Sequence, residues 1–210
     1  HTSNNNAEEY IGSMGYNKKV FANREYDYIA LNCQNTILQY PEVRQAISKV
    51  IDKEKIVTST LENKVTVANY PLINNSYLLK DIEVSNKTNT EKAKEILQNA
   101  GWKYEYGLWQ KEIDGVTKTI NIDFVVSKSN SQRVKVAQAI QDQLELFGIK
   151  INVKQVSDSQ YKQYVNNKDY EMILTGVYTS IAPDISYFLG ENNLSNYKND
   201  EIISTINEIN

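Results

Sequence analysis

Residues 120–153, INIDFVVSKSNSQRVKVAQAIQDQLELFGIKINV, decide the fold. Their first part alternates apolar and polar side chains, which is typical of a β-strand with one buried face. Apolar residues then recur at helical spacing, and Ser129 and Gln132 have the spacing of a capping box at the start of this helix. We expect Gly148 to end the helix, and a second apolar–polar alternation follows at residues 149–153. The sequence therefore predicts a βαβ unit, with two parallel strands and a right-handed crossover.

Further strands and helices are expected on both sides of this unit. Residues 26–33 alternate as a strand, and Pro41 is suited to the first turn of a helix, where its missing N–H costs nothing. Residues 172–177 form an apolar run that is typical of a strand buried on both faces. We therefore predict an α/β fold with a mixed sheet and flanking helices. Residues 1–25 are expected to form an extended lead-in, and residues 26–210 a single α/β lobe.

Short local signals predict how some of these elements begin, end and turn. Asp52 is placed to cap a short helix, and Thr90 to cap a later one that Gly101 ends. The pair Asp114-Gly115 favours a two-residue hairpin turn, because both residue types tolerate positive φ. Each of these predictions concerns backbone geometry.

The composition argues against several classes of function. The 210 residues carry a formal net charge of −3 without a basic run, so a nucleic-acid partner is not expected. His1 and Cys33 are the only histidine and cysteine. Zinc sites and Ser-His or Cys-His catalysis need more of these side chains, so we predict no metal site, no cofactor and no catalytic residue.

Two polar loops are the candidate binding sites. Ligands of open α/β sheets bind beyond the carboxyl ends of the strands. Residues 127–132 lead from a strand into a helix N-terminus, where free N–H groups favour an anion or a carbonyl. The alternative is that Ser129 and Gln132 only satisfy their own backbone. Residues 178–184 are small, polar and aromatic, and they either line a pocket or form a simple turn.

Four motifs, in order along residues 25–209, resemble those of one protein family. They are PEVRQAISKVIDKEKIV (41–57), EKAKEILQNAGW (91–102), QAIQDQLELFGIKINV (138–153) and YEMILTG (170–176). They are similar to motifs of the bacterial solute-binding proteins of ABC importers, family 5, which includes oligopeptide, dipeptide and nickel binders. The resemblance implies one lobe of a periplasmic-binding-protein-like (type II) fold. A second lobe, missing from this sequence, would close over the ligand.

The resemblance also implies a non-enzymatic function outside the cytoplasm. The protein would capture a peptide or a similar small polar solute and deliver it to an ABC transporter permease. Its location would be the periplasm or, as a lipoprotein, the cell surface. The alternatives are a protein-interaction or receptor module on the same lobe, and a hydrolase that uses Asp184 with Glu191 or Asp158. A hydrolase would require one carboxylate with a strongly raised pKa.

The position of the ligand contacts follows from the same resemblance. Family members that bind peptide N-termini carry an Asp in the loop after the buried strand, and Ser180 stands there in this sequence. Val177 replaces the Trp of that motif, and Leu174 stands where some oligopeptide binders have Arg. A buried charge pair with the ligand's α-amine is therefore not expected. The predicted ligand-binding residues are Tyr178, Thr179, Ser180, Ile181, Gln132, Ser129 and Asn130.

Overall fold

A computed structural model describes residues 23–72, 77–82, 87–181 and 184–209 of the chain. Most of the predicted lead-in, residues 1–22, therefore lies outside the described residues. The strands are β1 (Glu25–Leu31), β2 (Lys103–Glu105), β3 (Leu108–Ile113), β4 (Val116–Thr119), β5 (Asn121–Ser127), β6 (Lys150–Val156) and β7 (Met172–Tyr178). The helices are α1 (Pro41–Val50), α2 (Lys53–Lys55), α3 (Thr90–Asn99), α4 (Ser131–Phe147), α5 (Asp158–Asn167), α6 (Ser186–Leu189) and α7 (Asp200–Ile209). A π-helical turn (Ile56–Thr60) continues α2, and a 3₁₀ turn covers Tyr77–Leu79.

The strands form a four-stranded mixed sheet and a three-stranded antiparallel sheet. The larger sheet has the order β1-β7-β5-β6, in which β5 runs parallel to both β6 and β7, and β1 runs antiparallel to β7. The smaller sheet has the order β2-β3-β4. The predicted βαβ unit is confirmed as β5, α4 and β6, and the predicted mixed sheet with flanking helices is confirmed with it.

Two apolar clusters cover the two faces of the larger sheet. The first joins α1, α3 and α4 to one face and includes Phe124, Leu144 and the indole of Trp109, all of which are buried. The second lies on the opposite face, where Ile173 and Tyr170 pack with side chains of α5. Because both faces of β7 are covered, its first residues are buried throughout, as the apolar run predicts.

The local backbone predictions divide into confirmed and wrong ones. Asp114 and Gly115 have φ of 53° and 75°, which confirms the hairpin turn, and Gly148 ends α4 with φ of 93°. The predicted capping box of Ser129 and Gln132 is wrong, because the side chain of Asn130 caps α4 instead. Other caps and ends shift by a residue or two: Asn89, rather than Thr90, caps α3, and β1 ends at Leu31 rather than at residue 33.

Candidate functional site

The two predicted loops lie at the same edge of the larger sheet. They follow β5 and β7, which are parallel neighbours, so both chains leave the sheet at its carboxyl edge. The register pairs Val125 with Ile173, and β7 therefore projects three residues beyond the end of β5. The antiparallel strand β1 begins at this edge, where Glu25 pairs with Tyr178. The structure thus places the two loops that contain the seven predicted ligand-binding residues at one edge of the sheet, together with the first residues of β1.

The first loop is held by hydrogen bonds within the protein. The hydroxyls of Ser127 and Ser129 both donate to the carboxylate of Asp158, the latter over 2.6 Å. These bonds, with that of Ser127 first, lower the pKa of Asp158. The side chain of Asn130 accepts from the backbone N–H of Arg133 at 2.9 Å. Ser129 and Asn130 therefore help to shape the loop, and what they offer a ligand is their remaining hydrogen-bonding capacity.

The capping box is wrong for a reason that the position of Asp158 explains. A hydroxyl that donates to a carboxylate keeps its lone pairs, but the strong bond to a charged acceptor fixes the direction in which the side chain points. The hydroxyl of Ser129 is therefore directed to α5, and the next side chain with an oxygen, that of Asn130, accepts from the helix N-terminus. The helix begins one residue later than the capping box predicts.

The second loop contains one buried residue between exposed ones. Thr179 is buried because the start of β1 holds it: its N–H donates to the carbonyl of Arg24 at 2.9 Å, and Arg24 Nη1 donates to its carbonyl at 3.2 Å. Tyr178 is 68% exposed and Ile181 79% exposed, and Ser180 is exposed as well. The solvent-facing surface of residues 178–181 is thus an aromatic ring, a hydroxyl and an aliphatic side chain, and the exposed carboxylate of Asp184 ends the loop.

An ion-pair cluster at this edge was not predicted from the sequence. Arg133, in the first turn of α4, donates from Nη2 to Asp27 Oδ1 at 2.6 Å and from Nε to Asp27 Oδ2 at 3.2 Å. Nη2 also lies 3.2 Å from Glu25 Oε1. Burial opposes the charge of Arg133, but the two carboxylates outweigh it and raise its pKa. The available signal was weak: acidic residues two apart on one strand face and a basic residue in a distant helix.

An aromatic cleft is the second feature that sequence reasoning missed. Tyr26 and Tyr28 of β1 lie against Phe188 of α6, with ring centroids 5.6 Å and 5.1 Å apart. Together with Tyr187 and neighbouring residues they line a cavity of about 260 Å³. The cleft flanks the outer edge of β1. The tyrosines at residues 26 and 28 lie on one face of the predicted strand, so the same alternation that predicts the strand also indicates an aromatic surface there.

Two of the carboxylates considered for a hydrolase, those of Asp158 and Asp184, have their pKa shifted away from the value that a general acid needs. The pKa of Asp158 is lowered by the serine hydroxyls, and that of Asp184 is lowered by the hydroxyl and backbone N–H of Ser186. A general acid requires a shift in the opposite direction. Within the described residues, no group of three or more His, Cys, Asp and Glu side chains is placed to hold a metal ion. Residues 182 and 183 of the second loop lie outside the described residues.

Comparison with known proteins identifies the motifs and the fold. The family described as bacterial extracellular solute-binding proteins, family 5, middle part, matches residues 2–200. The oligopeptide-binding protein AppA of Bacillus subtilis (strain 168) is 32% identical over 163 residues, which are 76% of this chain and 30% of AppA. The chain thus spans less than a third of the length of this relative.

Solved structures agree with the fold. That of AppA from Bacillus subtilis in complex with a nonapeptide superimposes with a TM-score of 0.78 at 29% identity, over 89% of this chain and 38% of that one. The structure of NikA from Brucella suis in complex with Fe(III)-EDTA gives a TM-score of 0.79 at 19% identity, over 96% of this chain and 42% of that one. The second likeness supports the fold alone.

Proposed function

Because the chain belongs to family 5 of the bacterial extracellular solute-binding proteins, we propose that it is one ligand-binding lobe of a protein that delivers a peptide-like solute to an ABC importer. The observation that carries this proposal is the meeting of the two loops, residues 127–132 and 178–181, at one edge of the sheet. Open α/β sheets bind ligands at this edge. The 32% identity to an oligopeptide-binding protein supports a peptide-like solute.

The proposed mechanism is closure of two lobes over the solute. Contacts from both lobes favour the closed state, and the ligand shifts the population toward it. Tyr178, Thr179, Ser180 and Ile181 would supply the wall of the site on this lobe, with Ser129, Asn130 and Gln132 beside them at the helix N-terminus. The second lobe, the permease partner and a location in the periplasm or at the cell surface belong to this proposal.

A lobe that supplies half of the contacts binds weakly by itself. A ligand present at its own Kd stabilises a protein by only about 0.4 kcal/mol. We therefore expect no measurable thermal shift when peptides are added at millimolar concentration to the 210-residue chain. A version that also carries the second lobe should shift with peptides. A micromolar Kd for the 210-residue chain would contradict the two-lobe mechanism.

The decisive experiment is a thermal-shift panel on both versions. Nonapeptides of mixed sequence, single amino acids, sugars and nickel–histidine complexes are the probes. A shift with peptides in the two-lobed version alone supports the proposal. A shift with nickel–histidine complexes alone would replace the peptide-like solute with a metal complex.

The substitution Ser180→Asp tests the place of the wall. In the two-lobed version it introduces a carboxylate where a ligand's α-amine would lie, so we expect nonapeptides with a free N-terminus to bind that version about tenfold more tightly, a gain of about 1.4 kcal/mol. N-acetylated nonapeptides should gain nothing. The matched control is Ser204→Asp, at an exposed position of α7 remote from the two loops in the sequence. Equal gains for both variants, or for both kinds of peptide, would show that Ser180 is not in the wall.

A further inference from the structure

We propose that Arg133 is a positioning residue that fixes the first loop relative to the second by bridging across strand β7. This inference depends on the proposed function in one respect only, namely that the two loops form the wall. Nothing in the family match assigns a role to this arginine. Its contacts, the glycine beneath it and the bonds that continue from β1 to the second loop support this role.

Arg133 follows directly after the first loop, and its backbone is bonded to that loop. Its N–H is the donor that Asn130 accepts at the start of α4. Its side chain leaves the helix in the other direction and makes a two-pronged contact with the carboxylate of Asp27. Paired bonds of this kind fix the orientation of both planar groups as well as their distance. The Arg133 side chain is 17% exposed and that of Asp27 47%, so the guanidinium is shielded from solvent while the carboxylate is still partly screened.

The bridge passes over one strand of the sheet. Asp27 pairs in register with Gly176 of β7, and the guanidinium lies above that glycine. A Cβ at Gly176 would come within 2.1 Å of Arg133 Nη2 and 2.3 Å of Asp27 Oδ1. The backbone at this glycine needs no left-handed conformation. The absence of a side chain at residue 176 is therefore what gives the ion pair room to cross.

The start of β1 continues the connection to the second loop. Glu25, next in the same cluster, lies opposite Tyr178 in the register. Arg24 exchanges backbone and side-chain bonds with Thr179, the buried residue of that loop. A chain of direct contacts thus runs from Asn130 through Arg133 and β1 to Thr179. Loss of the Arg133 contacts would remove the side-chain link between the first turn of α4 and the start of β1 that the described residues show.

The test measures the spacing of the loops without any ligand. Spin labels are attached at Lys128→Cys and Ser180→Cys, both exposed positions, in a Cys33→Ser background, and the distance distribution is recorded by pulsed electron resonance. We expect Arg133→Met to broaden the distribution. Arg133→Lys, which keeps the charge but not the fork, should give an intermediate width. Exchange of the Thr179 amide should become about tenfold faster in Arg133→Met, equivalent to about 1.4 kcal/mol.

The matched control is Lys154→Met. It breaks the ion pair between Lys154 and Asp123 on the other side of the same sheet. If the loss of any ion pair in this sheet broadens the distance distribution, Lys154→Met broadens it as well. An unchanged width in Arg133→Met, or equal broadening in Lys154→Met, overturns the proposal. If Arg133→Met does not unfold cooperatively, the same distance distribution is recorded for Asp27→Asn, which removes the charge of the partner carboxylate, and an unchanged width overturns the proposal. Because no ligand is used, failure here leaves the proposed function standing.

Discussion

Alanine at residue 176 is the sharpest perturbation of the bridge. The added methyl group would lie 2.1 Å from Arg133 Nη2 and 2.3 Å from Asp27 Oδ1, distances that real Cβ contacts do not show. The guanidinium or the strand must therefore move. Both atoms are the far ends of flexible side chains, so they can move aside, and the cost is that of the charged hydrogen bonds that are lost, about 1–3 kcal/mol. For a chain of this size, about 2–4 °C per kcal/mol gives a decrease in Tm of about 2–12 °C.

The mechanism is tested by a double-mutant cycle. Urea unfolding is measured for the wild type, Gly176→Ala, Arg133→Ala and the double variant. Removing the guanidinium also lets the Asp27 carboxylate rotate away, so the methyl group should cost less in the Arg133→Ala background. We expect a coupling of at least about 1 kcal/mol, within the range for residues in direct contact. Gly176→Ala that costs the same in both backgrounds would refute the reasoning.

Gly115→Ala is the control for the cycle. Gly115 has φ of 75° and nothing within 4 Å of an added Cβ, so its substitution costs backbone strain alone. That strain is about 1–2 kcal/mol. It should be the same in the wild-type and Arg133→Ala backgrounds, because the hairpin turn has no contact with the bridge.

Three further substitutions test the loop and the core. Asn130→Ala removes the cap of α4 and should cost about 1 kcal/mol in urea unfolding; no loss would mean that water replaces the cap. Phe124→Ala, at a fully buried position of β5, should cost about 3–5 kcal/mol in the same assay, and less than 1 kcal/mol would contradict the placement of the core. Ser127→Ala with Ser129→Ala should raise the pKa of Asp158 in an NMR titration, since these hydroxyls lower it. A lowered folded-state pKa stabilises the fold above the unfolded-state pKa, and the effect is lost as pH falls through the folded value; an unchanged pKa in the double variant would exclude these bonds.

Local patterns in the sequence predicted the elements because local forces determine them. The alternation of Ile122 and Phe124, the helical spacing that ends at Gly148 and the turn at Asp114-Gly115 each depend on neighbours within a few residues. Their backbone conformations follow from burial on one face and from steric rules. The family resemblance added the expected ligand contacts in the two loops, and the parallel pairing of β5 with β7 places these loops at one edge of the sheet.

Contacts between distant residues were not predictable in the same way. Arg133 and Asp27 are 106 residues apart, and no periodicity connects them. The cap at Asn130 was missed for the same reason, because Asp158, whose carboxylate fixes the direction of the Ser129 hydroxyl, comes from another helix. Tertiary contacts determine which hydrogen bond such a side chain makes. A capping pattern alone therefore predicts the start of a helix only to within a residue.

The partners of the acidic residues determine what the proposed wall can recognise. Asp27 and Glu25 are paired with Arg133, and the carboxylate of Asp158 accepts from two serine hydroxyls. Tyr178, Ser180 and Ile181 of the second loop are exposed and neutral, and Ser180 offers a hydroxyl in place of a carboxylate, whereas Lys128 of the first loop and Asp184 at the end of the second loop are exposed charged residues. The three neutral side chains discriminate by hydrogen bonds and apolar contact, since none of them supplies a charge to stabilise an ammonium. Stabilisation of a ligand's ammonium beside Ser180 would therefore have to come from Asp184 or from the second lobe, which makes the response of Ser180→Asp to N-acetylation a measure of how much of this recognition residue 180 can supply.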